Sequence, residues 1–116
     1  MQPRSPRAPA PAPGRPVRGS RTGRPIMALL DLLGRRWTLR VVWELRDGPL
    51  PFRGLQERCG GVSSSVLNER LRELRAAGVV LSAQDGYGLT REGRELLDAF
   101  APLDAWAERW RRRGAG

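Results

Sequence analysis

The chain has 116 residues, a formal net charge of +9 and 40% hydrophobic residues. That length holds one compact domain and excludes a large enzyme fold, because a domain typically takes about 100 to 150 residues. All 21 basic residues are Arg, and with no His and a single Cys59 the chain can assemble neither an internal disulfide framework nor a zinc-ligand set. No metal and no cofactor are expected. No stretch approaches the ~18 to 20 apolar residues of a membrane span, and the N-terminus lacks the apolar region of a signal peptide. The expectation is a cytoplasmic protein without a membrane partner.

Residues 1–25 hold seven of the ten prolines and six Arg with no acid, interleaved with Ala, Gly and Ser. Such a segment cannot bury enough apolar surface to offset its ordering entropy, and it reads as a disordered arm. Two roles stay open for it: an electrostatic tether to phosphates, or a solubilising or over-extended leader. Residues 26–113 read as the folded domain. From residue 26 onward fifteen Arg face twelve Asp and Glu, a balance of only +3, which raises the odds of a polyanionic partner only modestly.

Ile26, Leu29, Leu30 and Leu33 mark a first short helix ended by Gly34. A second helix is expected from Arg35 to about Arg46, buried through Trp37, Val41, Val42 and Leu45 and stopped by Asp47-Gly48-Pro49. Phe52 to Cys59 predicts a third helix of about two turns, with Gly60-Gly61 as terminator. Ser63 then caps a fourth helix running to Ala77, with Gly78 as its stop. Val79-Val80-Leu81 and Tyr87 to Leu89 read as two short strands joined through Asp85-Gly86. Thr90 caps a long last helix in which Leu96, Phe100, Leu103, Ala107 and Trp110 repeat at four- and three-residue spacing, with a kink or break at Pro102.

The predicted fold is mainly α with a small β-hairpin, in the order of a winged helix-turn-helix, whose fourth helix is placed to enter the major groove of double-stranded DNA. On a helical wheel Leu67, Leu71 and Leu74 of that helix turn inward. Opposite them lie Ser65, Glu69, Arg72 and Ala76, with Asn68 on the flank and Ser63 and Ser64 at the start. Arg suits guanine and Asn suits adenine, and the small serines let the helix N-terminus approach a phosphate. The same pattern also describes an ordinary solvated face. A groove-facing Glu69 either accepts from a cytosine amine or pairs with Arg72 three residues on. Arg36, Arg53 and Arg91 are candidate phosphate contacts, the last because Gln84-Asp85-Gly86 makes a short wing with an acid at its tip.

Several of these stretches together resemble the HxlR family of winged-helix regulators, relatives of the MarR type. The resemblance rests on Pro25 and Ala28-Leu29, on Leu33-Gly34-Arg35-Arg36-Trp37-Thr38, and on Leu45, Gly48, Phe52 and Leu55. It continues through Val62-Ser63, Leu67-Asn68-Glu69-Arg70-Leu71-Arg72-Glu73-Leu74 and Gly78-Val79-Val80 to Tyr87-Gly88-Leu89-Thr90, Gly93, Leu97 and Trp106. It implies a cytoplasmic homodimer on a near-palindromic operator, with the helix 63–77 reading bases and the first and last helices forming the dimer. Ile26, Leu29, Leu30, Phe100, Leu103, Trp106 and Trp110 are the expected dimer residues, and Trp37 is expected to pack beneath the reading helix. Some family members sense oxidants through a Cys before the Pro that opens the first helix; here Arg24 stands there, so the resemblance does not carry that route over. Cys59 reads as a buried thiol.

Two other readings remain at this level. A winged helix also serves as a protein-interaction module without base-specific DNA binding, and the last helix could fold back on its own domain instead of pairing with a second copy. An enzyme is not expected, since the lone Cys has no evident base and no Gly-rich phosphate loop is present. A small-molecule effector stays open, with no polar constellation to identify one.

Overall fold

The structure is a computed structural model that describes residues 24–115. The expected disordered arm lies outside these residues except for Arg24 and Pro25, and those two already belong to the first helix as N-cap and first residue. Six helices and one hairpin follow in the order α1 (Pro25–Leu33), α2 (Thr38–Glu44), α3 (Phe52–Arg58), α4 (Ser64–Ala76), β1 (Val80–Ala83), β2 (Gly86–Leu89), α5 (Arg91–Phe100) and α6 (Pro102–Ala115). This is the winged helix-turn-helix order that the sequence predicts, with a difference at the start of α2.

The α2 helix starts at Thr38 instead of Arg35. Trp37 sits just before it with φ of 80°, the one non-glycine residue of positive φ among those described. A bulky residue there is strained, so something outside the segment must hold it. Arg35 donates to Glu73 of α4 and to Asp31 of α1, while Arg70 of α4 donates to the Arg36 carbonyl at 2.8 Å and to Glu73 at 2.7 Å. The Glu73 carboxylate is therefore buried between two guanidinium groups, and the loop 34–37 is fastened to α4 by both of them. Half-buried, Trp37 packs against the core, and Arg36 lies over its ring at 5.2 Å.

At the C-terminus the last helix is broken at Pro102, where the sequence predicts a kink or break. Pro102 has no N–H to donate back along the helix, and its ring excludes the carbonyl one turn earlier; α5 accordingly ends at Phe100 and α6 begins at Pro102. The break divides the predicted apolar seam. Leu96 and Phe100 pack against the core, whereas every residue from Pro102 to Gly114 is exposed. The first half of the predicted last helix thus lies on its own domain, and the second half, α6, does not.

Between these ends the core forms from Leu32, Val41, Val42, Leu45, Leu55, Val62, Leu67, Leu71, Leu74 and neighbours, with Cys59 among them. In α1 the packed residues are Ala28 and Leu32, while Ile26 and Leu30, read from the sequence as part of the apolar stripe, point outward. The hairpin pairs Val80 with Leu89 through Ala83 with Gly86, so its loop is Gln84-Asp85, one residue earlier than expected. Leu50, between Pro49 and Pro51, adds an antiparallel bridge on the other edge of β2 by exchanging both backbone hydrogen bonds with Tyr87. Gly86 makes that approach feasible: a Cβ there would stand 2.2 Å from the Leu50 carbonyl oxygen.

Removing the Glu73 charge leaves two part-buried arginines facing each other. Glu73→Gln should lower the unfolding free energy by about 2 to 3 kcal/mol, read as an earlier midpoint in urea at unchanged slope. An unaltered midpoint would mean that the ion cluster contributes nothing to the fold.

Candidate nucleic-acid interface

The helix-turn-helix is α3, the turn 59–63 and α4. Gly60 and Gly61 take φ of 81° and 87°, which only glycine adopts without strain, and the chain reverses tightly there. The turn is then stitched from within. Gln56 of α3 donates to the Val62 carbonyl at 2.8 Å and to the Ser64 hydroxyl at 3.2 Å. Ser63 caps α4 as expected, its hydroxyl accepting from the Val66 N–H. From the other side Arg40 of α2 donates to the Arg58 carbonyl at 2.8 Å and so covers the C-terminal end of α3.

With the turn fixed, α4 presents the faces its period predicts. Leu67, Leu71 and Leu74 are 0%, 2% and 0% exposed. Ser63, Ser64, Ser65, Asn68 and Arg72 are all exposed, and Glu69 is half-buried. At about 100° per residue, Ser64, Asn68 and Arg72 form one stripe, and Arg75 continues it into the last turn, also exposed. The outward face is therefore centred nearer Asn68 than the sequence reading placed it. Its spacing from Asn68 and Arg72, seven and three residues, is the signal that could have found Arg75. Glu73 carried no such signal, since the helical period places it about 100° from Leu74 and next to the polar face, and its burial depends on Arg35 and Arg70. Gln56 had no such signal, since its partners lie across the turn.

Arg72 donates to the Glu69 carboxylate. That hydrogen bond holds the Arg72 guanidinium above its already high ordinary range, so the side chain meets a ligand charged but partly neutralised. The cation is also pre-oriented by its neighbour. The three candidate phosphate contacts are spread out: Arg53 is exposed on α3, Arg36 is exposed and stacked on Trp37, and Arg91 is exposed at the start of α5 and paired with Glu95 at 3.4 Å.

Cys59 is 1% exposed at the end of α3. Burial pushes its thiol above the ordinary range, with Arg40 pulling it down and Glu44 raising it further. Among the described residues no three His, Cys, Asp or Glu group together as a metal site, and no helix is long and apolar enough to cross a membrane.

Residues 32–115 match the model of the HxlR-like helix-turn-helix family. The chain belongs to the HxlR family of DNA-binding transcriptional regulators. Among its relatives is the HTH-type transcriptional regulator YvaP of Bacillus subtilis, 31% identical over 70% of this chain and 82% of YvaP. YodB of the same organism, also an HTH-type transcriptional regulator, is 32% identical over 69% of this chain and 78% of its own length. The crystal structure of quinone-bound YodB superposes with a TM-score of 0.67 at 33% identity, covering 72% of this chain and 96% of that one. A possible HxlR family transcriptional factor from Thermoplasma volcanium gives a TM-score of 0.65 at 28% identity, covering 72% and 82% of the two chains. Membership of this family favours the DNA-binding reading over that of a protein-interaction module.

Two outcomes follow from this geometry. Glu69→Gln releases Arg72 from its counter-charge, and should tighten binding to arbitrary duplex DNA with a steeper salt dependence, by up to about 0.9 in log–log slope per protomer. A loss confined to preferred sequences would show instead that the carboxylate reads a cytosine. Separately, iodoacetamide should modify Cys59 slowly in the native protein at pH 7 to 9 and rapidly after unfolding, because a buried neutral thiol is a poor nucleophile. Fast native alkylation by mass spectrometry would contradict the burial.

Proposed function

We propose that this HxlR-family chain regulates transcription as a homodimer that binds a near-palindromic operator in a sequence-specific way, with α4 in the major groove. The observation that carries the reading is the division of α4 itself. Leu67, Leu71 and Leu74 are buried while Ser64, Ser65, Asn68 and Arg72 are open to solvent on the same helix. In this reading Asn68 and Arg72 contact base edges, the former suited to adenine and the latter to guanine. Ser63, Ser64 and Ser65 bring the helix start close to the duplex, and Glu69 orients Arg72. Arg36, Arg53 and Arg91 meet backbone phosphates, which position the domain without carrying sequence information.

The dimer is supported by the apolar surface that one copy leaves uncovered. Ile26, Leu30, Leu103, Trp106 and Trp110 are 48%, 55%, 55%, 46% and 62% exposed, and Leu29 and Phe100 are half-buried beside them in sequence. Trp106 and Trp110 stack with ring centroids 5.7 Å apart. A helix of this kind, apolar along one side and free of its own domain, is stabilised by burial against a second helix. The α1 and α6 of a second copy supply that partner, and two-fold pairing sets the two α4 helices about 34 Å apart, one turn of duplex. The chain acts by binding and release of DNA and not by catalysis, in the cytoplasm where its operator is.

Selection from random duplex DNA should return inverted repeats with that half-site spacing. On a selected duplex Arg72→Ala should cost about 1 to 3 kcal/mol and relax the base preference; an equal loss on selected and scrambled duplexes would overturn base reading by this residue. For the dimer, light scattering should give twice the chain mass for the unaltered protein, and the double variant Trp106→Asp, Trp110→Asp should give the single mass. A monomeric unaltered protein at micromolar concentration would overturn the pairing.

A further inference from the structure

Beside the outward stripe of α4, the second half of this helix and strand β1 flank an open groove of about 560 Å³, lined by Arg72, Arg75, Ala76, Val80, Leu81 and Ser82. Two of the six are cations and none is an acid. Arg70 and Arg72 on the same helix are each paired with a carboxylate, but Arg75 is exposed and makes no side-chain ion pair or hydrogen bond within the described residues. Ser82 is exposed on the opposite bank, and Leu81, 42% exposed, adds an apolar wall. A groove of this composition suits a phosphodiester, whose oxygens take the cations and whose sugars rest on the apolar part.

The length of α4 brings such a group there. Thirteen residues make a helix of about 20 Å, whereas the major groove is about 12 Å wide. With the first two turns at base edges, the last turn has therefore reached the groove wall, where the phosphates run. The negative end of the helix dipole also lies at this turn and on its own would repel an anion. Arg75 reverses that sign locally.

We infer that the α4–β1 groove seats a backbone phosphate of the bound duplex. Arg75 donates to its non-bridging oxygens, Ser82 supplies a hydroxyl donor from the other bank, and Arg72 borders the seat on the side of the bases. The wing thus engages DNA through strand β1, not through the acidic tip at Asp85. This inference rests on the reading of α4 as the helix that enters the major groove.

The experiment is a salt titration with two fluorescein-labelled duplexes, one recovered by selection and one scrambled, using the full chain. Arg75→Ala should weaken binding to both duplexes by the same factor and lower the log–log salt slope by about 0.9 for each half-site engaged. Between about 50 and 200 mM salt that corresponds to roughly a threefold smaller change in affinity per half-site. Arg75→Lys should keep the slope, and Ser82→Ala should weaken both duplexes by a smaller factor. A slope unchanged in Arg75→Ala overturns the proposal, as does a loss confined to the selected duplex, which would make Arg75 a base reader. Thermal melting separates out a purely structural role at the helix end, which would lower the midpoint and leave the slope alone. The outcome is independent of base reading by Arg72: base preference can survive Arg72→Ala while the slope still falls in Arg75→Ala.

Discussion

A carboxylate buried on the inner side of a helix must be compensated, and the way Glu73 is compensated governs how the rest of this domain is set. Its two oxygens face Arg35 from the loop before α2 and Arg70 from α4 itself. Arg70 in turn grips the Arg36 carbonyl, and Arg35 also reaches Asp31 at the end of α1. One cluster thereby ties α1, the strained loop at Trp37 and α4 together. Breaking a part-buried pair by removing one partner leaves the other charge uncompensated, so rotation of α4 about its own axis carries a steep penalty. The cluster and the three buried leucines fix the same rotation by different physics, one by charge and one by apolar burial.

That rotation matters because the opposite side of α4 carries the side chains proposed to meet DNA. Ser64, Asn68, Arg72 and Arg75 lie along the stripe turned away from Glu73. Their separation from the core leaves the surface that the proposed function offers to a duplex. The supports of the turn work to the same end: Gln56 holds its exit, Arg40 closes the end of α3, and Ser63 satisfies an open N–H of α4. None of these groups needs to touch a ligand to matter. They keep α4 from swivelling or fraying, which is the condition for the proposed discrimination between bases by a few of its side chains.

The other end of the domain follows a different logic. Thr90 caps α5 and also donates to the Gly78 carbonyl, while Gly93 lets α5 pass so close to Val79 that a Cβ would stand 2.1 Å from its carbonyl oxygen. The wing and α5 are locked to the end of α4 by these contacts. Beyond Ala101 the chain leaves the core altogether, and α6 carries its tryptophans into solvent. In a protein of this size the core is too small to cover them, so the same sequence builds a rigid helix-turn-helix at one end and an uncovered apolar helix at the other.

The order of elements was legible in the sequence alone, because each boundary rests on local chemistry. Ser63 and Thr90 are caps, Gly78 is a stop, Pro102 is a break, and the leucine period of α4 separates inside from outside. The family resemblance was legible for the same reason, since its motifs are runs of neighbouring residues. What tertiary structure alone decided was whatever depends on partners distant along the chain. The start of α2 was misplaced because the left-handed Trp37 is held by Arg35 and Arg70 acting on Glu73, residues up to 38 positions apart. Which residues of α1 meet the core, Ala28 and Leu32, was settled only by the packing, and Ile26 and Leu30 are left outward. The groove at Arg75 exists only because β1 lies beside the end of α4. Local propensity encodes helix ends where a cap, a glycine or a proline sets them, whereas the start of α2 and the face that meets each neighbour are properties of the assembled packing.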